Sequence, residues 1–166
     1  MRVFIAIQLS EEIKKSLITT MHELKKAGVK GSYVPSQNLH MTLCFIGETT
    51  DGSTIRQALE KVQFSPFRLT LTEFGKFGDL LWVGAKGGQK LTALVKDLRM
   101  ELSEAGVPFD NKKFEPHITL IRKMSGVHTN VSVPKSDMMV NGFSLMRSDQ
   151  KDGKMVYTPI AFFGKK

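Results

Sequence analysis

Apolar positions along the chain switch between two periods. In "RVFIAIQL" (2–9), Val3, Ile5 and Ile7 alternate within a β-branched and aromatic run, which predicts a strand. Ser10 follows as a helix N-cap, and Glu11 and Glu12 suit the positive end of a helix. Ile13, Leu17, Met21 and Leu24 then recur at spacings of four and three, one helical face that closes near Gly28. "LHMTLCFIG" (39–47) predicts a strand, and 51–62 a short helix with Ile55, Leu59 and Val62 on one side. "FRLTLTEF" (67–74) alternates strictly, and "LLWVGA" (80–85) is its expected hairpin partner across Gly78-Asp79. Leu91, Leu94, Leu98 and Leu102 predict a helix over 88–105 that stops at Gly106. "FEPHITLIR" (114–122) reads as a further strand, and two strands flank Asp152-Gly153, a strong hairpin signal.

The order of these elements repeats. "ELKKAGV" (23–29) and "ELSEAGV" (101–107) agree at five of seven positions at an offset of 78, each at the end of a predicted helix. Each is followed within about a dozen residues by a His-x-Thr-Leu strand, at an offset of 77. The unit strand–helix–strand therefore occurs twice, and two copies fit two α+β lobes related by a pseudo-twofold axis. A length of 166 residues suits one domain, 1–166, made of two similar parts.

The two strands carry the candidate chemistry. "HMTL" (40–43) and "HITL" (117–120) use two of the four histidines in the chain. Chance would place Thr and Leu this way after two of four histidines roughly three times in ten thousand. Alternation sends His40 and Thr42 to one face and Met41 and Leu43 to the other, and likewise His117 and Thr119 against Ile118 and Leu120. If the lobes face each other, two imidazoles and two hydroxyls converge. That set serves a phosphodiester reaction: one imidazole accepts a proton from attacking water, and the other donates one to the leaving oxygen. Thr hydroxyls bond the non-bridging phosphate oxygens. The competing reading is a pair of core histidines.

Other constellations are weaker. His40 and Cys44 fall on one face by alternation but stand too far apart to share an ion easily, and no HxH, HExxH or CxxC occurs, so no metal is expected. Cys44 reads as a small buried residue, and His22 and His128 as solvated. "GAKGGQK" (84–90) lacks the ending of a P-loop and reads as a strand-to-helix turn.

Composition adds a partner class and a compartment. A net charge of +8, spread as pairs such as Lys25-Lys26, Lys112-Lys113 and Lys165-Lys166, suits an anionic partner, nucleic acid above all. No run approaches the ~20 apolar residues of a membrane span. A single cysteine and an N-terminus without a signal pattern favour the reducing cytoplasm.

At these residues the chain resembles the 2H phosphoesterases. Within them it is most similar to the bacterial and archaeal RNA 2′,3′-cyclic phosphodiesterases, historically called 2′-5′ RNA ligases. The resemblance runs through "MRVFIAI", "YVPSQNLHMTLCFIG", "VPFDNKKFEPHITLIR" and "FSLMRSDQKDGKMVYTPIAFF". It implies a bilobal α+β fold, each lobe an antiparallel sheet with helices outside and the cleft between. It implies cofactor-free, metal-independent opening of a terminal 2′,3′-cyclic phosphate on RNA to a 2′-phosphate, by a monomer, with reversible 2′-5′ ligation in some relatives. His40 is then the proton donor to the 3′ leaving oxygen and His117 the acceptor from water, with Thr42 and Thr119 on the phosphate. The family also places an Arg five residues after the second His, here Arg122. Simple alternation puts it on the opposite face from His117 unless the strand ends or bulges there. Tyr33, Phe45 and Phe114 are candidates for stacking on a terminal base, with core packing as the alternative for each. Two further readings stay open: the same site acting on small cyclic nucleotides, or a non-catalytic RNA-binding module.

Overall fold

The alternation around Ile5 builds β1 (Arg2–Gln8), and the amphipathic run after it builds α1 (Glu11–Lys26), capped by Ser10 Oγ, which accepts from the Ile13 N–H at 3.2 Å. The chain continues through β2 (Lys30–Tyr33), a 3₁₀ turn (Ser36–Asn38) and β3 (His40–Glu48) to α2 (Gly52–Glu60). Then come β4 (Phe67–Phe77), β5 (Leu80–Lys86), α3 (Gly88–Glu104), β6 (His117–Ser125), β7 (Asp137–Val140), β8 (Gly142–Lys151) and β9 (Lys154–Gly164). This is a computed structural model that describes residues 1–164, so the Lys165-Lys166 pair lies outside the described residues. The expected hairpins at Gly78 and at Asp152-Gly153 are present, with φ of 60°, 53° and 74° at those three residues. No helix among the described residues is long and apolar enough to cross a membrane.

The strands form two antiparallel sheets, ordered β3-β1-β8-β9 and β2-β6-β5-β4-β7. Without β2, the second order reads like the first, with β6 in the place of β3 and β5 in the place of β1. The duplicated unit is therefore β1-α1-β3 and β5-α3-β6. Neither sheet is a contiguous half of the chain: the first is completed by β8 and β9, and the second takes β2 from between α1 and β3. One continuous apolar core joins Val3, Ile5 and Ile7 of the first sheet, Leu17 and Leu24 of α1, Leu81 and Val83 of the second sheet, and Leu94 and Leu98 of α3. The opposite face of the first sheet carries a small separate cluster, Phe4, Ala6 and Met146, against which Phe45 and Tyr157 pack.

Each His-bearing strand contains a β-bulge at the same place. On β3, Thr42 pairs with Ala6 but Cys44 pairs with Ile5, leaving Leu43 as the extra residue. On β6, Thr119 pairs with Trp82 but Ile121 pairs with Leu81, leaving Leu120 extra. Two consecutive side chains then enter the core, Leu43 with Cys44 and Leu120 with Ile121, and the residues directly after them, Phe45 and Arg122, change face. Arg122 consequently lies on the same side as His117 and Thr119, which corrects strict alternation. Cys44, expected to share a face with His40, lies in the core instead, where burial pushes its thiol up to about 11.

Gly31 sits at a further irregularity on the other edge of β6, where Lys30 pairs with Ser125 but Ser32 with Arg122. On the edge strand β2 it has φ +148°, and a Cβ there would lie 2.6 Å from Ile121 Cγ2 and 2.8 Å from the Arg122 carbonyl oxygen. Gly31→Ala is expected to cost about 2 kcal/mol and to lower Tm by about 6 °C, measured by thermal unfolding against the wild type.

Candidate active site

His40 opens β3 directly after the 3₁₀ turn. That turn is tied down by Asn38, which is buried and whose Nδ2 donates to the Met155 carbonyl at 2.9 Å. The Asn38 carbonyl accepts from His40 Nδ1 at 2.7 Å. His117 opens β6 in the same way, its Nδ1 donating to the Glu115 carbonyl at 2.6 Å. A carbonyl can only accept, so both rings carry hydrogen on Nδ1 and present Nε2 as the working nitrogen. His40 Nε2 stands 2.9 Å from Thr42 Oγ1, whose hydroxyl donates to it when the ring is neutral. His117 Nε2 has no partner among the described residues.

Each imidazole is bracketed by two aromatic rings. Phe4 of the adjacent β1 lies 5.0 Å from His40, and Tyr157 of β9 meets it edge-on at 5.1 Å. Trp82 of the adjacent β5 lies 5.7 Å from His117, and Phe77 at the end of β4 meets it edge-on at 5.2 Å. Trp82 can lie there because position 75 is glycine: a Cβ on Gly75 would fall 2.1 Å from the indole. The four bracketing residues and Asn38 are absent from the sequence-based site. Only Phe4 and Trp82 left a signal, each on the strand that precedes the helix of its repeat.

Two adjoining cavities of about 420 and 450 Å³ share His40, Thr119, Arg122, Met155 and Tyr157. Thr42 and Phe45 line the second, and Tyr33, Gln37 and Asn38 the first. His117 lines neither cavity. It is nevertheless near enough that its charge acts on His40. Burial lowers the His40 pKa below its ordinary 6.5, and the Arg122 guanidinium and His117 lower it further, against the opposing hydrogen bond from the Asn38 carbonyl.

The remaining candidates divide. Phe45, carried to the cleft face by the first bulge, and Tyr33 lie at the cavities. The Tyr33 hydroxyl donates to the Val29 carbonyl at 2.7 Å, and Lys25 sits 4.7 Å from its ring centroid. Phe114 lies elsewhere, in a separate groove of about 920 Å³ against the first turns of α3 with Leu91, Val95 and Pro116. His22 is exposed on α1, whereas His128 is partly buried and packs edge-on against Phe74 at 5.6 Å. Among the described residues, no group of three or more His, Cys, Asp or Glu side chains is placed to hold one metal ion.

The geometry thus places the His40 imidazole, two hydroxyls and one guanidinium along two adjoining cavities, with the second imidazole near enough to act on the first. Such a set binds a phosphate anion and moves protons on and off its ester oxygens. The family model described as the 2′-5′ RNA ligase superfamily matches residues 11–152. A Thermotoga maritima protein named RNA 2′,3′-cyclic phosphodiesterase is 32% identical over 164 residues, covering 89% of this chain and 87% of its own. An Escherichia coli protein of the same name is 31% identical over 170 residues, covering 96% and 93%. The crystal structure of E. coli LigT in apo form superposes with a TM-score of 0.86 at 28% identity, covering 99% of this chain and 96% of that one.

The cause of the depressed His40 pKa can be measured. Arg122→Gln removes a neighbouring cation and is expected to raise the His40 pKa toward 6.5, read from the pH titration of its ring nitrogens by NMR. The sign for folding follows. A depressed His contributes stability above its unfolded pKa and loses it as pH falls below about 6.5. Arg122→Gln should therefore make unfolding less sensitive to acid between neutral pH and about pH 5.

Proposed function

The chain belongs to the 2′-5′ RNA ligase superfamily, and on that premise we propose that it is an RNA 2′,3′-cyclic phosphodiesterase working by general acid–base catalysis between His40 and His117. The observation that carries this reading is the matched pair of rings. Each is pinned through Nδ1 to the carbonyl two residues before it, beside a cleft that holds Thr42, Thr119 and Arg122.

In the proposed reaction the two histidines divide the proton transfers. His117 Nε2 takes a proton from water as the oxygen attacks phosphorus. The P–O3′ bond breaks in line, and the leaving 3′ oxygen takes the proton held on His40 Nε2, which gives a 2′-phosphate and a free 3′-hydroxyl. Arg122 and the two Thr hydroxyls bind the non-bridging oxygens and stabilise the charge that builds on them. Every proton and bond in this scheme is handled by side chains of the chain, so the reaction runs without a metal. A 5′-hydroxyl in place of water gives a 2′-5′ linkage by the same steps. Both halves of the site come from one chain, which supports a monomeric, single bilobal unit as the working form. The lone buried Cys44 suits a reducing cytoplasm.

Loss of either proton-transfer group should be severe. His40→Ala and His117→Ala are each expected to lower kcat by about 10²- to 10⁴-fold on an RNA oligonucleotide ending in a 2′,3′-cyclic phosphate. Wild-type activity should survive EDTA, give only the 2′-phosphate, and follow a bell-shaped pH profile. Each single variant should lose one limb of that bell. A double variant that retains full activity would refute the mechanism.

A further inference from the structure

Beyond His40 and Thr42 the cleft continues over Phe45 to the start of β1. There the Arg2 guanidinium lies 4.8 Å from the centroid of the Phe45 ring. Arg2 pairs across the sheet with Ser148, and these two residues line both the catalytic cavity and the next one, of about 440 Å³. Arg2 is exposed and, although Glu48 stands opposite it in the β1–β3 register, it forms no ion pair with a carboxylate among the described residues. The two nearby acids are engaged elsewhere: Glu48 holds the Met1 amino group at 3.3 Å, and Asp149 holds Arg147 at 3.0 Å.

A guanidinium resting on an aromatic ring is held in place through its face and keeps its N–H edge free for an anion. Phe45 stands three residues past Thr42, about 10 Å along the strand. Arg2 is therefore set apart from the groups around the reacting phosphate, yet lies along the same open cleft.

We propose that Arg2, seated on Phe45, binds a phosphate linked to the 5′ position of the terminal nucleotide and so makes the enzyme favour RNA ends over bare cyclic nucleosides. The proposal rests on the phosphodiesterase reading above. The same chemistry is offered by the internal phosphodiester of an RNA chain and by the 5′-phosphate of a free nucleotide.

Three substrates separate these cases: a nucleoside 2′,3′-cyclic phosphate, the same nucleoside carrying a 5′-phosphate as well, and a dinucleotide ending in it. The wild type is expected to show a higher kcat/KM on the two substrates with a 5′-linked phosphate. Arg2→Gln should cut that advantage about tenfold and make the salt dependence on the dinucleotide shallower by about 0.7 in log–log slope. Arg2→Lys, which keeps the charge, should recover part of the advantage. A further gain from mononucleotide to dinucleotide assigns the subsite to RNA, and equal rates on the two assign it to the phosphate alone. Wild type indifferent to the 5′-phosphate, or an Arg2→Gln loss equal on all three substrates, overturns the subsite. Wild type inert on all three is a different result and overturns the phosphodiesterase reading itself.

Discussion

One extra residue in each of β3 and β6 determines what the cleft contains. A regular strand alternates faces, so His40 and Thr42 could share a face with each other but not with a residue five positions after the histidine. The bulges at Leu43 and Leu120 break that rule just before Phe45 and Arg122. A bulge gives up ladder regularity. What offsets it here is burial: Leu43 with Cys44, and Leu120 with Ile121, all enter the core with 3% exposure or less. Fully burying one such aliphatic side chain is worth about 1.5–3 kcal/mol, of the same order as the local disruption. The core thus holds the bulge, and the bulge turns Phe45 and Arg122 toward the site.

The two halves share a scaffold and differ in what they put on it. Each His donates through Nδ1 to the carbonyl two residues earlier, and each lies against an aromatic residue of the neighbouring strand, Phe4 or Trp82. At the position after the bulge the symmetry ends: β3 places Phe45 there and β6 places Arg122. One side of the cleft thereby gains an apolar surface on which a ring or a guanidinium can rest, and the other gains a fixed cation. The cation acts across the cleft on His40. The otherwise matched histidines thus stand in unequal surroundings.

Much of this was legible along the chain because it depends on local rules. The periodicity of Val3-Ile5-Ile7, the Ser10 cap, the leucine face of α3 and the Asp152-Gly153 turn each specify an element without help from the rest. The repeat of "ELxxAGV" and His-x-Thr-Leu pointed to the duplicated unit and its two matched His-bearing strands. Features set by pairing were hidden. The edge strands β2 and β7 have four residues each, too short for periodicity, and β2 joins a sheet whose other members lie far along the chain. The faces of Cys44 and Arg122 depend on bulges that only the strand register reveals. Tyr157 reaches His40 from 117 residues away, so no local pattern announces it. Phe114 looked equivalent to Phe45 because both flank a motif, but it precedes β6 and turns toward α3, away from the cleft.

The electrostatics of the empty cleft also bear on the order of proton transfer. Burial, Arg122 and His117 all favour neutral His40, whereas the proposed acid must begin with a proton on Nε2. In the proposed reaction a bound cyclic phosphate would resolve this, because it would bring an anion beside His40 and Arg122. Its charge screens the guanidinium from the imidazole and favours imidazolium directly, since an opposite charge within about 4–6 Å raises the pKa of a base. In the proposed scheme His40 would gain its proton as the phosphate arrives, and give it up as the 3′ oxygen leaves. His117 keeps its Nε2 open to incoming water. Arg122 is then more than a phosphate anchor. In the free protein it adds to the burial that favours neutral His40, and in the proposed complex its charge would be taken up by the substrate. Protonation of the proposed acid would then follow from binding the ester.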